Sequence, residues 1–279
     1  MIIDTHLHCW ELSSEKYPWN PLASVVPTYA WSVERELVVM DQYGIDKGLL
    51  VQPSMYSWDN CYNLVNGLQK YPDRFRMIGL VDPQADDVEA LIKYLAGEGV
   101  SGFRLGPMLR RDIPWYNDPR ADRVWSCCGD LGLIITLLVI PEQVSGARAA
   151  IARFPDNKII VDHLARPDAA ADTRQLEDLL TLAEFKNVYV KASALSFMSK
   201  EPYPHKDILT YMHRLYQAFG ADHLMWGTDT PMSTKPETIP SHLKLVELGL
   251  PEASPVEIAM IKGGTASRLL GFSDNAERR

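Results

Sequence analysis

The feature that most constrains the fold is an alternation. Short apolar segments that read as strands recur eight times, at 1–9, 48–53, 76–83, 100–105, 133–139, 158–163, 188–193 and 223–229, with helical segments between them. The helices are expected from a Ser32 cap to a Gly44 stop and over 60–71, 86–97, 120–131, 141–154, 176–184 and 207–219, with 255–270 as helical closure. Within 86–97, Val88, Leu91, Ile92 and Leu95 fall on one face. Strands that alternate with helices build a parallel sheet, and eight of them predict a (β/α)8 TIM barrel. An open, doubly wound sheet is the alternative, but no strand is followed by the glycine-rich loop of a nucleotide site. The chain has 279 residues and no break in composition, so a single barrel domain over 1–272 is expected, followed by a frayed polar tail at 273–279.

A net charge of −8 argues against a nucleic-acid partner, whose mark is a basic patch. The longest apolar stretch, 131–141, is too short for a bilayer span of about 20 residues, and no signal-type leader is expected ahead of the first strand. Cys9, Cys61, Cys127 and Cys128 form no CxxC pair and no regular framework. Reduced thiols in a cytoplasmic protein are the expectation.

The first strand runs into His6-Leu7-His8. On a strand, side chains at i and i+2 point the same way, roughly 7 Å apart, so both imidazoles aim at one place. Two ligands of one metal ion fit that pattern, as do two donors to a polarised oxygen or two buried structural histidines. The later strands break the tie. Polar exceptions stand at their C-terminal ends: Arg104 on the fourth, His163 on the sixth, Lys191 on the seventh and Asp229 on the eighth. Catalytic groups of a barrel come from those ends, and closure sets the eighth strand beside the first. Arg104 suits a substrate carboxylate. Arg166 reads as an anion contact or a solvated loop charge, and Lys191 as a substrate contact or the partner of a barrel carboxylate. The 10–31 segment, rich in aromatics and proline, carries no helical period and is expected as an ordered loop over the site. Trp19, Trp58, Trp115 and Tyr116 are candidate walls, and Arg110 and Arg111 are expected as surface charges. His205, His213, His223 and His242 are expected in loops, on helix surfaces or at the wrong end of a strand.

Asp4-Thr5-His6-Leu7-His8, Val161-Asp162-His163-Leu164, Val190-Lys191-Ala192-Ser193 and Trp226-Gly227-Thr228-Asp229-Thr230-Pro231, taken together, resemble the amidohydrolase superfamily. The nearest likeness is its amidohydrolase-2 branch of sugar-acid lactonases, pyrone dicarboxylate lactonases and related decarboxylases, and it runs from residue 2 to about 270. The resemblance implies a distorted (β/α)8 barrel in which His6, His8, His163 and Asp229 face the reacting carbonyl, with Asp229 as the base acting on water. Two departures exclude a binuclear centre. The fifth strand, Thr136-Leu137-Leu138-Val139-Ile140, offers no histidine, and the fourth lacks a bridging lysine or glutamate. One divalent ion, zinc or manganese, on His6, His8, His163 and Asp229 is expected, or else a metal-independent site.

The implied activity is hydrolysis of a lactone of a sugar acid or of an aromatic-degradation intermediate. The expected substrate is a small anionic or polyhydroxy lactone held by Arg104, Arg166, Lys191, Trp58 and Tyr116. A nonoxidative decarboxylase, a lactone isomerase and a non-catalytic binding barrel are the rivals. No membrane partner is expected, and a homo-oligomer is compatible with the sequence.

Overall fold

The computed structural model describes residues 1–272 except 22, 24, 107–114, 117 and 169–172. Arg110, Arg111 and the 273–279 tail therefore lie outside the described residues. Eight parallel strands follow one another in chain order: β1 (Ile3–Leu7), β2 (Lys47–Val51), β3 (Phe75–Gly79), β4 (Gly102–Leu105), β5 (Ile134–Leu137), β6 (Lys158–Val161), β7 (Val188–Ala192) and β8 (Leu224–Trp226). The ring closes at its C-terminal end, where Leu7 bridges Thr230 and backbone bonds run from Asp229 N to His6 O (2.9 Å) and from His8 N to Thr230 O (2.9 Å). Below that point side chains stitch the seam. Thr5 Oγ1 donates to Trp226 O at 2.7 Å, and Asp4 Oδ1 accepts from Thr228 N at 2.9 Å. The close approach requires glycine at 227, where a Cβ would stand 2.9 Å from Thr5 Oγ1. This irregular seam is the distortion in a TIM barrel.

Side-chain parity explains how the barrel changes from a core into a site. Ile3, Leu49, Val51, Ile78, Ile134, Ile160 and Met225 form one buried cluster inside the ring, plugged by Ala266 and Leu270 of the helix Thr265–Leu270 and by Phe272 just beyond it. Two residues further along, the inward positions turn polar: Arg104 after Gly102, Thr136 after Ile134, Asp162 after Ile160 and Lys191 after Tyr189. In β1 the pairing with β2 shifts register between Asp4 and Leu7, and such a bulge re-aims side chains. It lets the inward Ile3 be followed by an inward His6 and His8 of opposite parity.

The first helix, Val33–Tyr43, starts where Ser32 Oγ accepts from Arg35 N and stops at Gly44 with φ 69. Two expected helices are less regular than their periodicity predicts. The 60–71 segment is a single α-turn, Cys61–Asn63, running into a π-helix, Leu64–Gln69; the 255–270 segment is interrupted by a π-turn, Met260–Gly264. A further helix, Ile239–Gly249, lies between the eighth strand and that closing segment. The described residues of the 10–31 segment form no helix, and its ends are clasped by the Trp10–Trp31 backbone pair at 2.8 Å. No helix among the described residues is long and apolar enough to cross a membrane.

After β2 the chain turns at Ser57, whose φ 55 and ψ −126 belong to the first central position of a type II′ turn, a conformation suited to glycine. Ser57→Gly is expected to stabilise the fold by about 1 kcal/mol, raising Tm by about 2–4 °C. An unchanged or lowered melting temperature would show that the serine carries no strain there.

Candidate active site

The C-terminal mouth of the barrel opens into a cavity of about 400 Å³, the size of a small-molecule site. His8, Arg104, His163, Arg166, Asp229, Ser54 and Ser233 line it on the polar side, and Val25, Leu138, Ala194, Phe197, Met198 and Met232 on the apolar side. At its floor His6 and His8 meet edge to face, their ring centroids 5.0 Å apart. Asp229 Oδ1 lies 3.2 Å from His8 Nε2 and 3.6 Å from His6 Nε2. Closure at the β1–β8 seam thus brings Asp229 against two histidines more than two hundred positions away.

The hydrogen bonds around these rings orient them. His8 Nδ1 is 2.7 Å from Val51 O, a group that only accepts, so Nδ1 carries a proton and Nε2 is turned to Asp229 Oδ1 at 3.2 Å. An imidazole nitrogen and a carboxylate oxygen at that distance share a proton or a cation. His6 Nε2 is buried without a hydrogen bond, while its Nδ1 lies 3.6 Å from Asp162 Oδ1 and 3.4 Å from Lys191 Nζ. An ammonium only donates, so His6 Nδ1 accepts from Lys191, and its Nε2 faces Asp229 Oδ1 at 3.6 Å. Burial holds the His6 pKa well below its ordinary value, with His163 and the Lys191 ammonium lowering it further, so the ring is neutral. Burial by itself raises the Asp229 carboxyl, but His163, His8 and His6 outweigh it and hold it below the usual range, leaving a carboxylate.

Beneath this group stands Asp162. It is wholly buried, with Lys191 Nζ 2.9 Å from Oδ1 and Arg104 Nε 2.9 Å from Oδ2. Burial pushes its pKa up, but Lys191, Arg104 and His6 together hold it well below the carboxylate range. Asp4 behaves oppositely. Burial without a cationic partner raises it to about 7, although Thr228 and the His6 backbone N–H both donate to it.

His163 reaches the cavity by an unusual route. β6 ends at Val161, and continued strand parity would place His163 opposite Asp162, away from the interior. Instead the backbone enters the left-handed region at His163, Leu164, Ala165 and Arg166, with φ of 51, 54, 58 and 52. Such residues cost roughly 1–2 kcal/mol each and persist where the surroundings over-determine them, here through the burial of Leu164 and Ala165. The turn carries both His163 and Arg166 to the cavity. Ser193 Oγ holds His163 Nδ1 at 2.8 Å, and burial lowers the ring's pKa to about 4.

The sequence of this chain matches the amidohydrolase-2 family model, described as Amidohydrolase, over residues 3–272. The chain belongs to the amidohydrolase family. It is 27% identical over 237 residues to a 4-sulfomuconolactone hydrolase of Rhizobium radiobacter, covering 82% of this chain and 75% of that one. It is 28% identical over 239 residues to an L-fucono-1,5-lactonase of Burkholderia ambifaria, covering 83% and 80%. In fold it is similar to a probable 2-pyrone-4,6-dicarboxylic acid hydrolase of Acinetobacter baumannii with citric acid bound: TM-score 0.84, 22% identity, covering 97% of this chain and 99% of that one.

In this amidohydrolase several expected contacts lie elsewhere. Lys191 is wholly buried and committed to Asp162, so it is a partner of a barrel carboxylate and not a wall of the cavity. Trp58 does not line the cavity, which Ser54 of the same loop reaches. Tyr116 packs its ring on Gly146 of the helix Pro141–Arg153 and edge-on to Trp115, which is itself buried. Trp19 stacks edge-on to Tyr56. Phe197, Met198 and Met232 form the apolar wall instead. Arg104 does reach the cavity, but one nitrogen of its fork faces Asp162. His242 is buried and bonded to Ser196 Oγ at 2.8 Å, not on a helix surface.

For a metal ion, the tightly grouped donors are His6, His8 and Asp229; His163 groups instead with His6 and Asp162. Asp162 already carries two cationic partners, so the first triad is the fitting one. Two imidazoles and a carboxylate, with the unbonded His6 Nε2 and the His8 Nε2 turned towards one carboxylate oxygen, suit one divalent ion with an open position. Sequence reasoning missed Asp162 and Ser233. Asp162 was detectable by parity, as a charge two residues after the inward Ile160. Ser233 had no signal, because its place depends on a turn.

Proposed function

We propose that this amidohydrolase opens a small lactone bearing an anionic or strongly polar group, by attack of water. One observation carries the reading: the Asp229 carboxylate stands against the Nε2 atoms of His6 and His8 on the floor of a cavity that also presents Arg104 and Arg166. The two relatives in sequence, both named as lactone hydrolases, support hydrolysis over decarboxylation. In this reading Arg104 and Arg166 seat the carboxylate or hydroxyls of the substrate, and the apolar wall of Phe197, Met198 and Met232 holds the ring. Asp229 takes a proton from the attacking water, and the neutral His163 donates to the oxygen on which charge develops. A divalent ion on His6, His8 and Asp229, zinc or manganese, would polarise the carbonyl and acidify the water, which suits a base whose own pKa is low. Four free cysteines fit a cytoplasmic setting.

A panel of carboxylated and polyhydroxy lactones, followed by acid release at neutral pH, tests the reading. Turnover of a lactone is expected. Failure on the whole panel, with CO2 released from aromatic acids, would replace it with decarboxylation. Elemental analysis of the same preparation is expected to find at most one divalent ion per chain, since Thr136 and the Asp162-bound Arg104 stand where additional ligands would be needed. Two stoichiometric ions would refute the assignment of the donors.

A further inference from the structure

We propose that Ser233 carries the proton from Asp229 to the leaving oxygen of the substrate, a role that rests on the lactone-hydrolase reading. The two oxygens of Asp229 are not equivalent. Oδ1 is enclosed by His8 and His6, whereas Oδ2 accepts a short hydrogen bond from Ser233 Oγ. Asp229 is only 7% exposed, while Ser233 is half-buried and lines the cavity. A proton on the outer oxygen of Asp229 therefore has the serine oxygen as its nearest acceptor.

This placement is built into the backbone. Asp229 adopts φ 67, and the chain curls so that Ser233 N donates to Asp229 O at 2.9 Å. Thr228 braces both sides of the turn, its Oγ1 accepting from Thr230 N at 2.9 Å and its carbonyl from Thr234 Oγ1 at 2.6 Å. The turn returns Ser233 to the aspartate four residues earlier.

The chemistry balances without another reactant. Water loses a proton to Asp229 as its oxygen bonds to the carbonyl carbon. When the adduct collapses, the bond from that carbon to the ring oxygen breaks, and its electron pair stays on the ring oxygen. Asp229 then gives its proton to Ser233 Oγ while the serine's own proton passes to the ring oxygen. Serine ends neutral, aspartate ends as a carboxylate, and the product is a hydroxy acid. A hydroxyl serves because it is one donor and two acceptors at a single atom.

The test uses two probes on one preparation of Ser233→Ala: L-fucono-1,5-lactone, whose ring oxygen leaves as an alkoxide, and dihydrocoumarin, whose ring oxygen leaves as a phenoxide and needs little protonation. The expected result is a loss of about 100-fold in kcat on the alkyl lactone, the scale of one positioned proton transfer, with KM within about twofold. On dihydrocoumarin the loss is expected to stay below about fivefold. Any unfolded fraction lowers both rates equally, so the ratio is independent of folding. Equal losses would make Ser233 only a support for Asp229 and overturn the relay, as would no loss on the alkyl lactone. A parent enzyme that hydrolyses neither probe counts against the lactone-hydrolase reading and removes the relay with it.

Discussion

Asp229→Asn is expected to lower kcat by about 10³-fold or more while the protein still folds, because an amide cannot accept the proton of water. The fold should survive for a backbone reason. Residue 229 sits at φ 67, a left-handed conformation that asparagine tolerates as readily as aspartate. The amide can still accept from Ser233 through its oxygen, so the turn at 229–233 keeps its closing bond. The diagnostic combination is therefore a parental circular-dichroism spectrum and cooperative melting beside a collapsed turnover. Turnover within a few fold of the parent enzyme would remove Asp229 from the role of base, and His163 would become the group to examine.

The largest expected effect on stability lies just below the site. Asp162→Asn leaves the shape almost unchanged but strips the counter-charge from Lys191 and Arg104, both buried and both 2.9 Å from its oxygens. Removing one partner of a buried ionic group costs about 3–5 kcal/mol, which for a domain of this size lowers Tm by about 10 °C. Asp162→Asn combined with Lys191→Met should recover part of that loss, because the uncompensated ammonium disappears along with its partner. Melting of the single variant within about 2 °C of the parent would show that the buried charges are satisfied in some other way. Activity adds a second reading. Asp162 stands 3.6 Å from His6 Nδ1 and against Arg104 Nε, so its loss should weaken metal retention and substrate binding together.

Much of the architecture was legible in the chain because its cues are local. Short apolar runs alternate with helical periods, Ser32 and Gly44 cap a helix by their own chemistry, and His6 and His8 share a face because they are two residues apart on a strand. The (β/α)8 order and the meeting of Asp229 with the two histidines follow from those cues and from ring closure. The walls were not legible. Trp58 and Tyr116 looked eligible because they are aromatic and follow strands, yet neither lines the cavity, and the bare backbone of Gly146 takes the Tyr116 ring.

By itself, the sequence determined the eightfold barrel, the strand ends that carry polar groups, and the pairing of His6 and His8, since each depends on side-chain period within a few residues. Only the tertiary structure decided that Lys191 and one nitrogen of Arg104 serve Asp162, that His163 enters the cavity through a left-handed turn instead of along its strand, and that Ser233 folds back onto Asp229. The physical reason is common to all three. A buried charge takes whichever partner the closed barrel brings within about 3 Å, and a strained backbone survives only where packing from distant segments holds it.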